Sequence, residues 1–166
     1  GLAYLLHAVA SIRKKRSVRL TIIGSPKENG HIENLISELG IHDCVTFTGR
    51  IRNEEFSSYY AEAAIAVIPS LYEGFGMPAG EAMACGVPVI STAGGALPEV
   101  VGEAGIIIPP GDEVALEKAI VSLLDDPEKR ERLGCAGLER VKRLFTWHHA
   151  AQMTVDVYRE AINANH

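Results

Sequence analysis

Residues 65–110 read IAVIPSLYEGFGMPAGEAMACGVPVISTAGGALPEVVGEAGIIIPP, and the fold is decided there. Three short apolar runs, Ile65–Ser70, Pro88–Ser91 and Gly105–Pro109, are strand candidates. A glycine-rich loop and a helix from Pro78 to about Cys85 separate the first two, and Pro98-Glu99 marks a helix start before the third. Strands alternating with helices require crossover connections and a parallel sheet. The runs are continuously apolar rather than alternating, which suits strands covered by helices on both faces.

The same grammar extends in both directions. Upstream lie two more strand candidates, Val18–Gly24 and Val45–Gly49, and a polar helix from Gly30 to Leu39 with Gly40 as its stop. Asn53 is placed to cap a helix carrying Phe56, Tyr59 and Tyr60. Leu2, Leu5, Leu6, Val9 and Ile12 form one apolar stripe on an opening helix, closed by Arg13-Lys14-Lys15-Arg16 at the negative end of its dipole. Downstream, Asp112–Leu124, Pro127–Leu144 and Trp147–Asn163 read as helices. The expected fold is therefore α/β, a doubly wound Rossmann-like parallel sheet with ligands at the carboxyl ends of its strands. Such a unit normally opens with a strand, whereas this chain opens inside a helix. In the strand order 3-2-1-4-5-6 the missing first strand is central. The expectation is a fragment of a longer polypeptide, in which Val18–Gly24 and Ile65–Ser70 either pair with each other or leave a gap.

The chain has 166 residues, 47% of them hydrophobic and 22% charged, which suits one globular domain spanning residues 1–166. Its net charge of −5 is the wrong sign for neutralising nucleic-acid phosphates. No apolar run is long enough for a transmembrane segment, and the first ten residues lack a basic stretch before an apolar one, so no signal peptide is expected there. Cys44, Cys85 and Cys135 are dispersed, so neither a disulfide framework nor a zinc site is expected, and a reduced, cytoplasmic setting follows. Cys85 sits in an apolar stretch and reads as packing.

Gly74 and Gly76 flank Phe75 just past a strand end, where glycine lets backbone amides approach a ligand. Pro78 suits the first helical position, and the free amides of that helix start form an anion site fit for phosphate. The dinucleotide and P-loop glycine fingerprints are absent. Glu73 and Glu81 bracket the site. Glu81 is expected in the first helical turn, where a carboxylate is favoured by about 0.3–1 kcal/mol. A carboxylate accepts hydrogen bonds from neighbouring hydroxyls, as on ribose or another sugar. The alternative is a helix-supporting Glu81 and a solvated Glu73. Spacing does not choose, because Glu54/Glu62 and Glu131/Glu139 repeat it on ordinary helices.

The order of these residues resembles the carboxyl-terminal domain of the GT-B glycosyltransferases, in the retaining family 4 (group 1). The carrying residues are Glu73-Gly74-Phe75-Gly76, Met77-Pro78, Glu81-Ala82-Met83-Ala84, Gly86, Pro88-Val89-Ile90, Gly94-Gly95, Pro98-Glu99 and Gly105 to Pro109. Phe47-Thr48-Gly49, Pro69-Ser70 and Trp147 add weaker support, so the resemblance covers nearly the whole chain. It implies that Glu81 holds the ribose of a nucleotide-sugar donor and that the catalytic-site Glu73 contacts the donor sugar. The backbone of Gly74, Phe75, Gly76 and Met77 would hold the sugar and distal phosphate. Gly49, Arg50 and Ile51 would lie near the base, with Arg50 either reaching phosphate or standing as a surface arginine. Phe75 acts through its backbone whether or not its ring is buried. Gly94 and Gly95 either shape the interdomain cleft or make a plain tight turn.

No metal or other cofactor is implied, and no D-x-D motif occurs. In this family an arginine and a lysine ahead of the first helix meet the leaving-group charge, and this chain opens at the glycine that follows them. At about 1.5–3 kcal/mol per charge-assisted hydrogen bond, their loss costs roughly two to four decades of affinity. Two departures are local: Gly24-Ser25-Pro26 replaces the family's G-x-G, and Gly80 stands where an apolar residue is usual. The implied whole is a retaining transferase moving a hexose from a nucleoside diphosphate sugar to an acceptor hydroxyl. Its partner is a missing amino-terminal acceptor-binding domain, through which any peripheral membrane attachment would be made. The rivals are a non-catalytic nucleotide-binding module and another GT-B enzyme, such as a sugar-nucleotide epimerase or a glycogen-synthase-like polymerase.

Overall fold

Alternation of helix and strand runs through the computed structural model, which describes residues 1–26 and 30–164. The order is α1 (Leu2–Arg13), β1 (Leu20–Ile22), α2 (His31–Leu39), β2 (Val45–Phe47), α3 (Phe56–Glu62), β3 (Ala66–Ile68), α4 (Met77–Ala84), β4 (Val89–Thr92), α5 (Leu97–Val101), β5 (Gly105–Ile108), α6 (Glu113–Leu124), α7 (Pro127–Leu144) and α8 (Trp147–Asn163). All five expected strands are present; four are shorter than their apolar runs, and β4 is shifted by one residue, to Val89–Thr92.

Every strand pair is parallel, but the sheet is in two pieces. β1 pairs with β2 (Leu20 opposite Val45), and β3, β4 and β5 pair in that order (Ala66 opposite Val89, Val89 opposite Gly105). Among the described residues β1 and β3 do not pair, so of the two sequence expectations the gap is the one found.

Helices cover both faces, and β4 shows how. Ile90 joins the cluster built by α1, α2 and α6 around Leu6, Ile12, Leu116 and Leu123. Its neighbour Val89 joins the opposite cluster, with Ala79, Met83, Leu97 and Val101 of α4 and α5. Residues one apart on a strand point to opposite faces, so an all-apolar strand demands this two-sided cover. α7 lies close against α4 and the turn after it through two buried glycines, Gly137 against Met83 and Gly134 against Gly86.

Local chemistry sets the helix ends. Gly40 closes α2 in the left-handed region at φ 64°, with the Ile41 amide bonded back to Ile36. Asp112 and Asp126 cap α6 and α7, accepting the amides of Ala115 and Lys129 at 2.8 Å each. Asn53 does not cap α3. It opens a short 3-10 turn, and the Glu55 carboxylate takes the Arg52 amide at 2.8 Å instead. Cys44 is buried, whereas Cys85 is exposed at the end of α4, so its expected packing role is not found.

Candidate functional site

At the carboxyl ends of the strands the loop from Pro69 to Gly76 carries β3 into α4. Gly76 is the turning point. Its φ of 94° lies in the left-handed region, and a Cβ there would sit 3.1 Å from Leu97. α4 then starts at Met77, one residue earlier than expected, with Pro78 second. No side chain caps it. The amides of Ala79 and Gly80 turn back to the Gly76 carbonyl, while no acceptor among the described residues takes those of Phe75, Gly76 or Met77. Three free N–H groups therefore stand at the positive end of a helix dipole.

The two carboxylates sit on either side of this turn, both half-buried. Ser70 donates its hydroxyl to Glu73 Oε2 at 3.4 Å. Glu81 lies in the second turn of α4, not the first, so the expected stabilisation by the helix terminus does not apply. Its neighbour is Tyr60 of α3, whose hydroxyl donates to the Pro78 carbonyl at 3.3 Å. Pro78, Glu81 and Cys85 follow at helical spacing on the side of α4 that meets α3. Burial first, and then the negative charge of Glu81, push the Tyr60 hydroxyl up to about 12.

The structure gathers Glu73, Gly74, Phe75, Gly76, Met77 and Glu81 on one continuous segment. Gly49 and Arg50 lie across the gap, at the end of β2. There Gly49, at φ 70°, bridges to Gly24, and the Gly24 amide donates to Thr48 Oγ1 at 3.2 Å. Arg50 is exposed. The link between the halves is α3, which leaves the Gly49–Arg52 loop and delivers Tyr60 to Glu81. The Phe75 ring is 58% exposed, beside Tyr72 at 80%, so the loop presents aromatic surface outward. Two surface hollows lie elsewhere, one beside Ile12 and Val121, one beside Glu103 and Arg143. Among the described residues no cluster of three or more His, Cys, Asp or Glu could hold a metal ion.

Sequence reasoning missed the support beneath Glu73. The turn after β4 is pressed against this loop: a Cβ on Gly94 would lie 2.5 Å from the Leu71 carbonyl oxygen, and one on Gly95 2.1 Å from that of Glu73. The glycine pair was visible as a motif, but its contact reaches back some twenty residues. Tyr60 carried only the signal of an aromatic pair before a strand.

A family model for glycosyl transferases group 1 matches residues 1–126. The chain belongs to that family. It is 44% identical over 165 residues to the MMP alpha-(1->4)-mannosyltransferase of Mycolicibacterium hassiacum, covering 98% of this chain and 40% of that enzyme. Sucrose-phosphate synthase from Thermosynechococcus elongatus superposes with a TM-score of 0.86 at 39% identity, over 99% of this chain and 43% of that one. The C-terminal domain of a group 1 family protein (LpcC) from Francisella tularensis matches with a TM-score of 0.79 at 27% identity, over 89% of this chain and 80% of that domain. The chain spans about two fifths of the length of the curated relatives it matches. Its architecture is that of a GT-B glycosyltransferase half with a Rossmann-like sheet.

Proposed function

We propose that this chain is the donor-binding domain of a retaining glycosyltransferase that moves a hexose from a nucleoside diphosphate sugar to an acceptor hydroxyl. The observation that carries it is the turn into α4, where three unengaged amides lie between two carboxylates at the carboxyl end of a parallel sheet. The amides and the helix dipole suit the diphosphate and the charge that develops on it as the sugar leaves. Glu81 suits the ribose hydroxyls, Glu73 the hydroxyls of the sugar, and Gly49 with Arg50 the base side. A relative named as a mannosyltransferase supports a hexose. Retention is part of the reading and rests on the family resemblance.

The acceptor would be brought by a second domain. The unpaired edges of β1 and β3 leave room for one more parallel strand, and α8 buries none of its residues. In this reading the missing strand and the second domain belong to the same longer polypeptide, which works in the cytoplasm. Free Cys44, Cys85 and Cys135 suit that compartment. No helix among the described residues is long and apolar enough to cross a membrane.

The test is a titration of the chain with UDP, GDP and ADP followed by heteronuclear NMR, with Glu81→Ala as control. Shifts at Phe75–Met77 with one nucleotide, lost in the control, support the reading and name the base. A well-dispersed spectrum untouched by all three, and equally untouched after the upstream strand is restored, sinks it. The same reading expects no sugar transfer by the isolated chain, so measurable turnover would refute that part.

A further inference from the structure

We propose that the turn Thr92–Ala96 is the positioning element of the Glu73 loop, with Thr92 and Gly95 as positioning residues for the Glu73 carboxylate. The proposal rests on the reading of Glu73 as the donor-sugar contact. Three attachments join the turn to the loop. The Thr92 side chain is 2% exposed, and its hydroxyl donates to the Ser70 carbonyl while accepting the Gly94 amide at 3.2 Å. The Ala96 amide donates to the Glu73 carbonyl at 2.9 Å. Between these, Gly95 holds φ at 66°, and a Cβ there would lie 2.1 Å from the Glu73 oxygen and 3.0 Å from its nitrogen. Backbone meets backbone at that distance, so no side-chain motion relieves the clash. The loop residues preceding Glu73 and Glu73 itself are thus tied to one turn through main-chain groups.

Glu81 has a separate support. It stands on α4, beside Tyr60, and touches none of these three attachments. The sugar end and the nucleotide end of the donor site are therefore held by different parts of the fold. Disturbing the turn should move one and spare the other. A merely structural role would weaken both together.

The experiment compares binding of UDP with UDP-glucose, and of GDP with GDP-mannose, using whichever pair the native chain takes. Thr92→Val keeps the shape and removes the hydroxyl. It should lower affinity for the diphosphate sugar by about tenfold, the ratio set by 1.4 kcal/mol, with the bare diphosphate changed by less than about twofold. Thr92→Ser, which restores the hydroxyl, should recover the sugar-dependent part. Gly95→Ala, on an exposed turn, should act in the same direction and decides the matter if Thr92→Val does not fold. Equal losses for diphosphate and diphosphate sugar, or no loss in either while amide exchange at Ala96 quickens, overturn the proposal. A native chain that binds neither pair, and still binds neither once the upstream strand is restored, overturns the donor-site reading, and the role assigned to the turn falls with it.

Discussion

The hydroxyl of Tyr60 donates to the carbonyl of Pro78 across 3.3 Å, tying α3 to the first turn of α4 beside Glu81. The Tyr60 proton is held up to about 12, against an ordinary 10, by burial and by the Glu81 carboxylate. An acid whose pKa rises on folding keeps its proton in the native state while the unfolded chain loses it. Stability is therefore complete below pH 10 and falls as pH climbs from about 10 towards 12. Urea unfolding across that window should show the decline, and Tyr60→Phe should flatten it. At neutral pH the same variant should cost about 0.5–1.5 kcal/mol, one hydrogen bond. An unchanged alkaline slope in the variant would mean that another group drives it.

Two glycines within helices should respond oppositely to alanine. Gly80 in α4 has nothing within 4 Å of a would-be Cβ, so Gly80→Ala should stabilise by about 0.5–1 kcal/mol through helix propensity. A Cβ on Gly134 of α7 would lie 2.2 Å from the Gly86 carbonyl oxygen. Gly134→Ala should therefore destabilise by about 1–3 kcal/mol despite the better propensity, because α7 must back away from the turn after α4. Thermal unfolding of both variants checks the pair. Stabilisation by Gly134→Ala would contradict the close approach of α7 to that turn.

What could be read from the chain follows the range of the interactions. Strand-helix alternation is local: Ile65–Ser70, Pro88–Ser91 and Gly105–Pro109 each overlap an observed strand, and burial on two faces leaves its mark in residues such as Val89 and Ile90. Gly40 and Asp112 mark helix ends through bonds spanning a few residues. Phase within a helix was less legible. α4 starts at Met77 because Gly76, not Pro78, makes the turn, and that single residue moves Glu81 out of the first turn. Long-range contacts left no periodic signal. The double glycine at 94 and 95 looked like a tight turn or a cleft element, and its role against Glu73 is set by backbone packing between segments that only the fold brings together. Asn53 looked like a cap, but the cap position of the short turn lies one residue earlier, at Arg52, whose amide is taken by the Glu55 carboxylate.

The two carboxylates should separate kinetically in the full-length enzyme. Glu81→Ala removes the group assigned to the nucleotide and should raise the donor KM. Glu73→Gln keeps the shape and removes the charge near the sugar, so it should lower kcat by about ten- to a hundredfold, one charge-assisted hydrogen bond, with nucleoside diphosphate inhibition unchanged. Steady-state kinetics with product inhibition reads both. If Glu73→Gln weakened the bare diphosphate as much as Glu81→Ala does, the division of labour between them would be wrong.

Trp147 offers a direct test of the proposed second domain. It is the single tryptophan of the chain, and at 92% exposed it opens a helix that buries nothing. Trp147, Thr154, Tyr158 and Ile162 follow at helical spacing, leaving an unburied stripe along α8. Covering one large apolar side chain is worth about 1.5–3 kcal/mol, so a stripe of this length favours a partner surface. In the isolated chain, acrylamide should quench Trp147 nearly as well as a free indole, with emission typical of water. In a polypeptide extended by the acceptor-binding half, emission should move to the blue and quenching should fall several-fold. Addition of a nucleoside diphosphate alone should leave Trp147 unchanged, since α8 lies outside the donor segment. If the extended polypeptide left Trp147 as accessible as before, α8 would not be where the two halves meet.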